Sequence, residues 1–182
     1  LDAEERNILQ KIQNISRSAK NFAKNNQLGD LTVLFDSSMY EKKGNLKLPT
    51  SGKVVKKFGL LRLPFERVKI YNKGWFIRTP DSKDVRSVFK GRVAYKGIIS
   101  DYGRVLIVNH GDHYYSVYGS LENIFVNVGD DVDEASKIAS TGSSRLFGPG
   151  LYIEIRHFSQ PQDPKEWFSR SHIKISSLGD SP

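Results

Sequence analysis

The chain has 182 residues, room for one ordinary domain plus an appendage, and its 38% hydrophobic content is a normal globular value. The absence of cysteine excludes disulfides and thiolate metal sites, and no apolar run approaches the ~20 residues of a membrane-spanning helix. The net charge of +8 is concentrated in residues 42–104, with 17 basic and 4 acidic side chains, against 5 and 6 in residues 1–41 and 6 and 10 in residues 105–182.

Such a basic block suits nucleic acid, anionic lipid, wall polymer or an acidic protein, or simply a solvated face. The chain opens on Leu1 rather than Met. A processed or partial chain is therefore expected, and the lack of a visible signal peptide argues for no compartment.

In chain order, residues 3–25 are predicted to be helical, because Ile8, Ile12, Ile15, Ala19 and Phe22 recur at spacings of four and three. Asp2 is placed to cap it, Glu4 and Glu5 favour its positive end, and Asn25, Asn26 and Gly29 stop it. So thin a stripe fits either the end of a coiled coil or a helix laid on the domain. Residues 1–27 are read as this helix and 28–44 as a linker. A β domain is read over 45–170 and a frayed tail over 171–182.

From Gly52 onward, β-branched and aromatic runs alternate with Gly, Asp and Asn turns: Val54–Phe58, Trp75–Arg78, Arg92–Ile99, Val105–Val108, His113–Tyr118, Ile124–Val128 and Leu151–Ile155. Val88-Phe89 and Ile138-Ala139 are weaker candidates. No helix-period segment separates the strands, so a mainly antiparallel sheet is expected.

The pair in His110-Gly111-Asp112-His113 invites a metal reading, but Gly-Asp between two strand runs is a hairpin signal that puts both histidines near a rim. His157 and His172 stand alone. No nucleophile elbow, phosphate loop or RNA-binding signature is present. Trp75, Phe76, Tyr102, Tyr114, Tyr115, Tyr118 and Tyr152 lie in or beside the strands. If some face an open surface, with Lys73, Arg104 and Arg156 at its edges, they make a peptide-binding groove.

The ordered run of Asn72–Ile77 (NKGWFI), Val85–Tyr95, Asp101–Val105, Asn109–Asp112, Tyr118–Leu121, Val128–Val132 and Gly148–Arg156 resembles the lysostaphin/LytM-type zinc endopeptidase domain over roughly residues 45–170. That resemblance implies a duplicated β-hybrid fold. Where active members place two zinc ligands in His-x-x-x-Asp, this chain has Asn72 and Phe76. At the catalytic histidine of Tyr-x-His-Leu it has Ser120, and at the His-x-His pair it has Gly150 and Tyr152. Phe76 offers no donor atom, and neither Gly150 nor Ser120 replaces an imidazole, so no metal, no cofactor and no peptidase activity are expected.

The pattern is similar to the EnvC-like activators of murein hydrolases, which pair a coiled coil with an inactive domain of this fold. The resemblance implies a cell-envelope or periplasmic location and a zinc-dependent N-acetylmuramoyl-L-alanine amidase as partner, in peptidoglycan remodelling and daughter-cell separation. It also implies that the coiled coil binds a membrane division complex. With no RNA-binding signature in the residues, nucleic acid is not expected as a partner. By position, Lys73, Trp75, Tyr102, Val105, Tyr118, Tyr152, Glu154 and Arg156 are expected to line the partner-binding groove. The competing expectations are a peptidoglycan or polyanion binder acting through residues 42–104, and a hydrolase with a relocated metal site at His110 and His113.

Overall fold

The computed structural model describes residues 38–63 and 69–171, together with residues 6, 7, 10, 11, 13, 14 and 173. Apart from those isolated positions, the helix expected over 3–25 and its caps lie outside the described residues, as do His172 and the end of the tail.

A 3-10 turn at Met39–Lys42, capped by the Ser38 side chain, leads into the β region. The strands are β1 (Lys53–Lys56), β2 (Gly59–Arg62), β3 (Lys69–Asn72), β4 (Trp75–Arg78), β5 (Asp84–Arg86) and β6 (Gly91–Ile99). They continue with β7 (Gly103–Asn109), β8 (Tyr114–Ile124), β9 (Asp131–Val132), β10 (Lys137–Ser144), β11 (Gly148–His157) and β12 (Gln160–Gln162).

The main sheet runs β1-β4-β11-β10-β8-β7-β6-β9, with β12 on β11 and β5 on β10. Its strand pairs are antiparallel, as the absence of crossover helices predicts. β11 is the pivot. Its first residues, Gly148–Gly150, pair with β10; from Tyr152 onward it pairs with β8, while β4 flanks its other edge. β2 and β3 form a separate ribbon.

Both sheet faces are buried around β7 and β8. Leu106, Val108, Tyr114 and Tyr118 point into the main core with Trp75, Ile77, Leu151, Ile153 and Ile155. Their neighbours Val105, Ile107, Tyr115 and Val117 point the other way, into a second cluster with Ile99. Tyr95 and Tyr102 pack on this second cluster, and Lys11 Nζ lies 4.3 Å from the Tyr95 ring centroid. Met39 and Leu46 are buried in the main core, and Leu46 bridges to Phe168. The packed unit thus begins by Met39, inside the stretch read as a linker.

The expected runs at 75–78, 92–99, 105–108 and 151–155 fall within strands. The run at 124–128 does not: β8 ends at Ile124. Val88-Phe89 lies between β5 and β6, and both residues are core. The hairpin expected at 110–113 forms, with positive φ at Gly111, Asp112 and His113. Contrary to expectation, His110 is not at a rim. It is buried, its Nδ1 2.8 Å from the Lys90 carbonyl and its Nε2 2.7 Å from Ser116 Oγ. Burial pushes its pKa down to about 4, so the ring is neutral.

Candidate functional site

The site follows from strand register. Tyr152 on β11 stands opposite Phe76 on β4 and Gly119 on β8, so all three share one face. Two and four residues on, Glu154 and Arg156 face the same way. Gly119 runs close beneath the Tyr152 side chain: a Cβ there would sit 3.2 Å from the Tyr102 carbonyl and in ordinary contact with Tyr152. Gly150 has φ +152, and a Cβ on it would collide with the Ile77 carbonyl and lie 2.8 Å from the Phe76 ring. Phe76 in turn packs on Phe147, with ring centroids 5.3 Å apart.

Below these rings sits a buried polar network. Glu154 Oε1 accepts hydrogen bonds from Tyr102 Oη (3.0 Å) and Tyr152 Oη (2.7 Å), while Oε2 accepts from Arg156 Nε (2.5 Å). Glu154 and Arg156 are both 0% exposed. Arg156 Nη1 donates to the Ser159 carbonyl at 3.1 Å, and Nη2 has no partner. Burial, then the Glu154 charge, holds both tyrosines well above the usual phenol range, so they stay protonated and donate. Burial works against the Arg156 charge, but the Glu154 carboxylate outweighs it and the guanidinium pKa is raised. Breaking such a pair from one side costs about 3–5 kcal/mol, because an uncompensated charge remains buried.

The model for peptidase family M23 matches residues 70–164. The chain belongs to peptidase family M23. It is 36% identical to the murein hydrolase activator EnvC of Escherichia coli over 99 residues, 54% of this chain and 24% of that protein. It is 31% identical to the murein hydrolase activator NlpD of the same species over 117 residues, 64% of this chain and 29% of that protein. A zinc-containing peptidase from Vibrio cholerae superposes with TM-score 0.60 at 25% identity, over 68% of this chain and 40% of that one. This M23 chain therefore spans less than a third of the length of either activator.

The residues expected from the resemblance at the ligand positions make a poor donor set for a zinc ion. Asn72 offers only a neutral amide oxygen, a weak zinc ligand, and its Nδ2 is anchored on the carbonyls of Lys57 and Gly74, each at 2.8 Å. Phe76 has no donor, and the Tyr152 hydroxyl is committed to Glu154. Gly150 is more than a missing imidazole, since its backbone and neighbours leave no space for any side chain. Ser120 is buried at φ +57, its N–H bonded to the Tyr102 carbonyl at 2.6 Å.

Of the expected groove residues, the structure brings together Tyr102, Tyr152, Glu154 and Arg156, with Val105 buried in the cluster beside them. It separates Trp75 and Tyr118. Both lie on the opposite face, in the main core, because each is one residue out of phase with Phe76 and Gly119. Trp75 packs on Phe168 at 5.6 Å, and Tyr118 Oη accepts from Val88 N–H at 3.0 Å. Arg156, expected at an edge, is fully buried. Lys73 is half-buried beside Gly74. The sequence reading overlooked Phe147 and the exposed pair Leu60 and Tyr71, which face each other across β2 and β3. Alternation in so short a ribbon leaves no readable signal.

Proposed function

We propose that this M23 domain is non-catalytic and binds and activates a zinc-dependent N-acetylmuramoyl-L-alanine amidase in the cell envelope, during peptidoglycan remodelling and daughter-cell separation. The observation that carries the reading is the packing of the Tyr102 and Tyr152 rings with both hydroxyls on the buried, Arg156-paired Glu154, beside a Gly150 unable to accept a side chain. The names of two relatives, both murein hydrolase activators, support it.

Tyr102, half-buried with its hydroxyl on Glu154, and Lys73 offer the partner an aromatic face and a cation. Leu60 and Tyr71, paired across β2 and β3, are each at least 59% exposed, and such apolar surface suits the apolar stripe of an amphipathic helix. Capturing a helix that blocks the amidase's own zinc site would shift the amidase toward its open state, by no more than the difference in binding energy between the two states. Glu154 and Arg156 support this surface rather than touch the partner.

The test is release of dye from labelled peptidoglycan by a cell-wall amidase. The chain should stimulate release severalfold, Tyr102→Ala with Lys73→Glu should abolish stimulation while leaving the fold intact, and the chain alone should release nothing. Unchanged stimulation by that variant would remove the groove from the account. The relocated-site reading loses ground because both His110 nitrogens already have partners.

A further inference from the structure

The β2–β3 ribbon stands apart from the main sheet, and a lone pair of strands has little stability of its own in water. Its base is fastened beside the groove: Asn72, the last residue of β3, donates to the Lys57 and Gly74 carbonyls, and Phe76 follows in β4. Register divides the ribbon into two faces. Leu61 and Ile70 pair on one face and are half-buried. On the other face Leu60 pairs with Tyr71 and Arg62 with Lys69, and all four are exposed. The Phe58 ring meets Tyr71 edge-on, with centroids 5.6 Å apart, and so holds the apolar pair in place.

The cation pair is the feature without a structural purpose. Directly opposed residues on one face have Cβ atoms about 5 Å apart, and like charges there repel. Neither Arg62 nor Lys69 has an ion pair among the described residues. An anionic group set between them relieves the repulsion and gains charge-assisted contacts. This pair lies two strand residues, about 7 Å, along the ribbon from the apolar pair. One turn of an α-helix, from i to i+4, advances about 6 Å. The two spacings match. A helix laid along the strands therefore sets an apolar residue on Leu60 and Tyr71 and its i+4 residue on Arg62 and Lys69.

We infer that the ribbon docks an amphipathic helix of the partner amidase that carries a carboxylate side chain one turn from its apolar contact. The inference rests on the activator reading and adds to it the charge and register of the captured helix. The one-turn spacing favours a helix over a lipid headgroup layer, which sets no register.

The experiment is calorimetric titration of the full chain with a cell-wall amidase, alongside photo-crosslinking with Tyr71 replaced by p-benzoylphenylalanine. Wild type should bind. Arg62→Glu should weaken binding at least tenfold without lowering the unfolding midpoint, because the new carboxylate faces Lys69 and ends the repulsion. A cation pair with no part in docking would leave binding unchanged or tighter, and that result overturns the inference. Leu60→Ser should weaken binding severalfold. Lys47→Glu, elsewhere in the basic block, should leave it unchanged; equal loss there would reduce the effect to diffuse charge and overturn the register. Irradiation should join position 71 to an amidase helix with Asp or Glu three or four residues away. A crosslink to a segment without one, or loss of the crosslink to phosphatidylglycerol vesicles added as competitor, would overturn the occupant. Failure of wild type to bind removes the activator reading and this inference together. Binding lost in Tyr102→Ala with Lys73→Glu but unchanged in Arg62→Glu removes this inference alone.

Discussion

Glu154→Gln removes the carboxylate paired with Arg156 while keeping shape. In the wild type, one carboxylate accepts from Tyr102, Tyr152 and Arg156. The amide can keep one oxygen for the tyrosines, but its NH₂ then faces Arg156 Nε, donor against donor, with both residues 0% exposed. Stranding a buried charge costs about 3–5 kcal/mol. With a urea slope of about 2 kcal/mol per molar, the midpoint should fall by roughly 1.5–2.5 M. Trp75 and Trp167, both buried in the main core, give the fluorescence signal. Adding Arg156→Met removes the stranded charge, so the double variant should recover much of the loss. A single variant within about 1 kcal/mol of wild type, or a double variant as unstable as the two singles added, would refute the reasoning.

His110 gives a pH prediction. Unfolded, it binds its proton near 6.5; folded, near 4, because burial disfavours the charge. Between those values unfolding takes up a proton, so its contribution of about 3 kcal/mol is fully present above pH 6.5 and lost as pH falls through 4. Urea midpoints of wild type and His110→Asn should therefore converge on acidification, and parallel curves would disprove it. Gly150→Ala should cost more than about 2 kcal/mol, well above Gly129→Ala, because both have positive φ but only Gly150 has a crowded Cβ position; equal midpoint shifts in urea would contradict the packing argument. Tyr102→Phe should lower amidase stimulation severalfold while shifting stability by about 1 kcal/mol, the ordinary worth of one hydrogen bond; stimulation equal to wild type would show that the hydroxyl does not shape the surface.

The strands around Trp75, Arg92 and Leu151 were legible because β-branched and aromatic residues fill them between glycine turns. The family itself was legible because its motifs set residue types at fixed spacing, and the matched range 70–164 falls inside the stretch read as the domain. Which side chains share a face was not. Both faces of β7 and β8 are apolar, so Tyr114, Tyr115, Val117 and Tyr118 show no inside–outside alternation. Parity between strands depends on register, and a one-residue offset moved Trp75 and Tyr118 to the core. The burial of His110 was hidden too, because its partner carbonyl on Lys90 is remote in sequence.

The most direct measurement is a paired assay of this chain on peptidoglycan in added zinc, with and without an amidase. The account predicts no cleavage of wall peptides by the chain alone and a severalfold rise in amide hydrolysis when the amidase is present. Peptide cleavage by the chain alone, dependent on zinc, would contradict it.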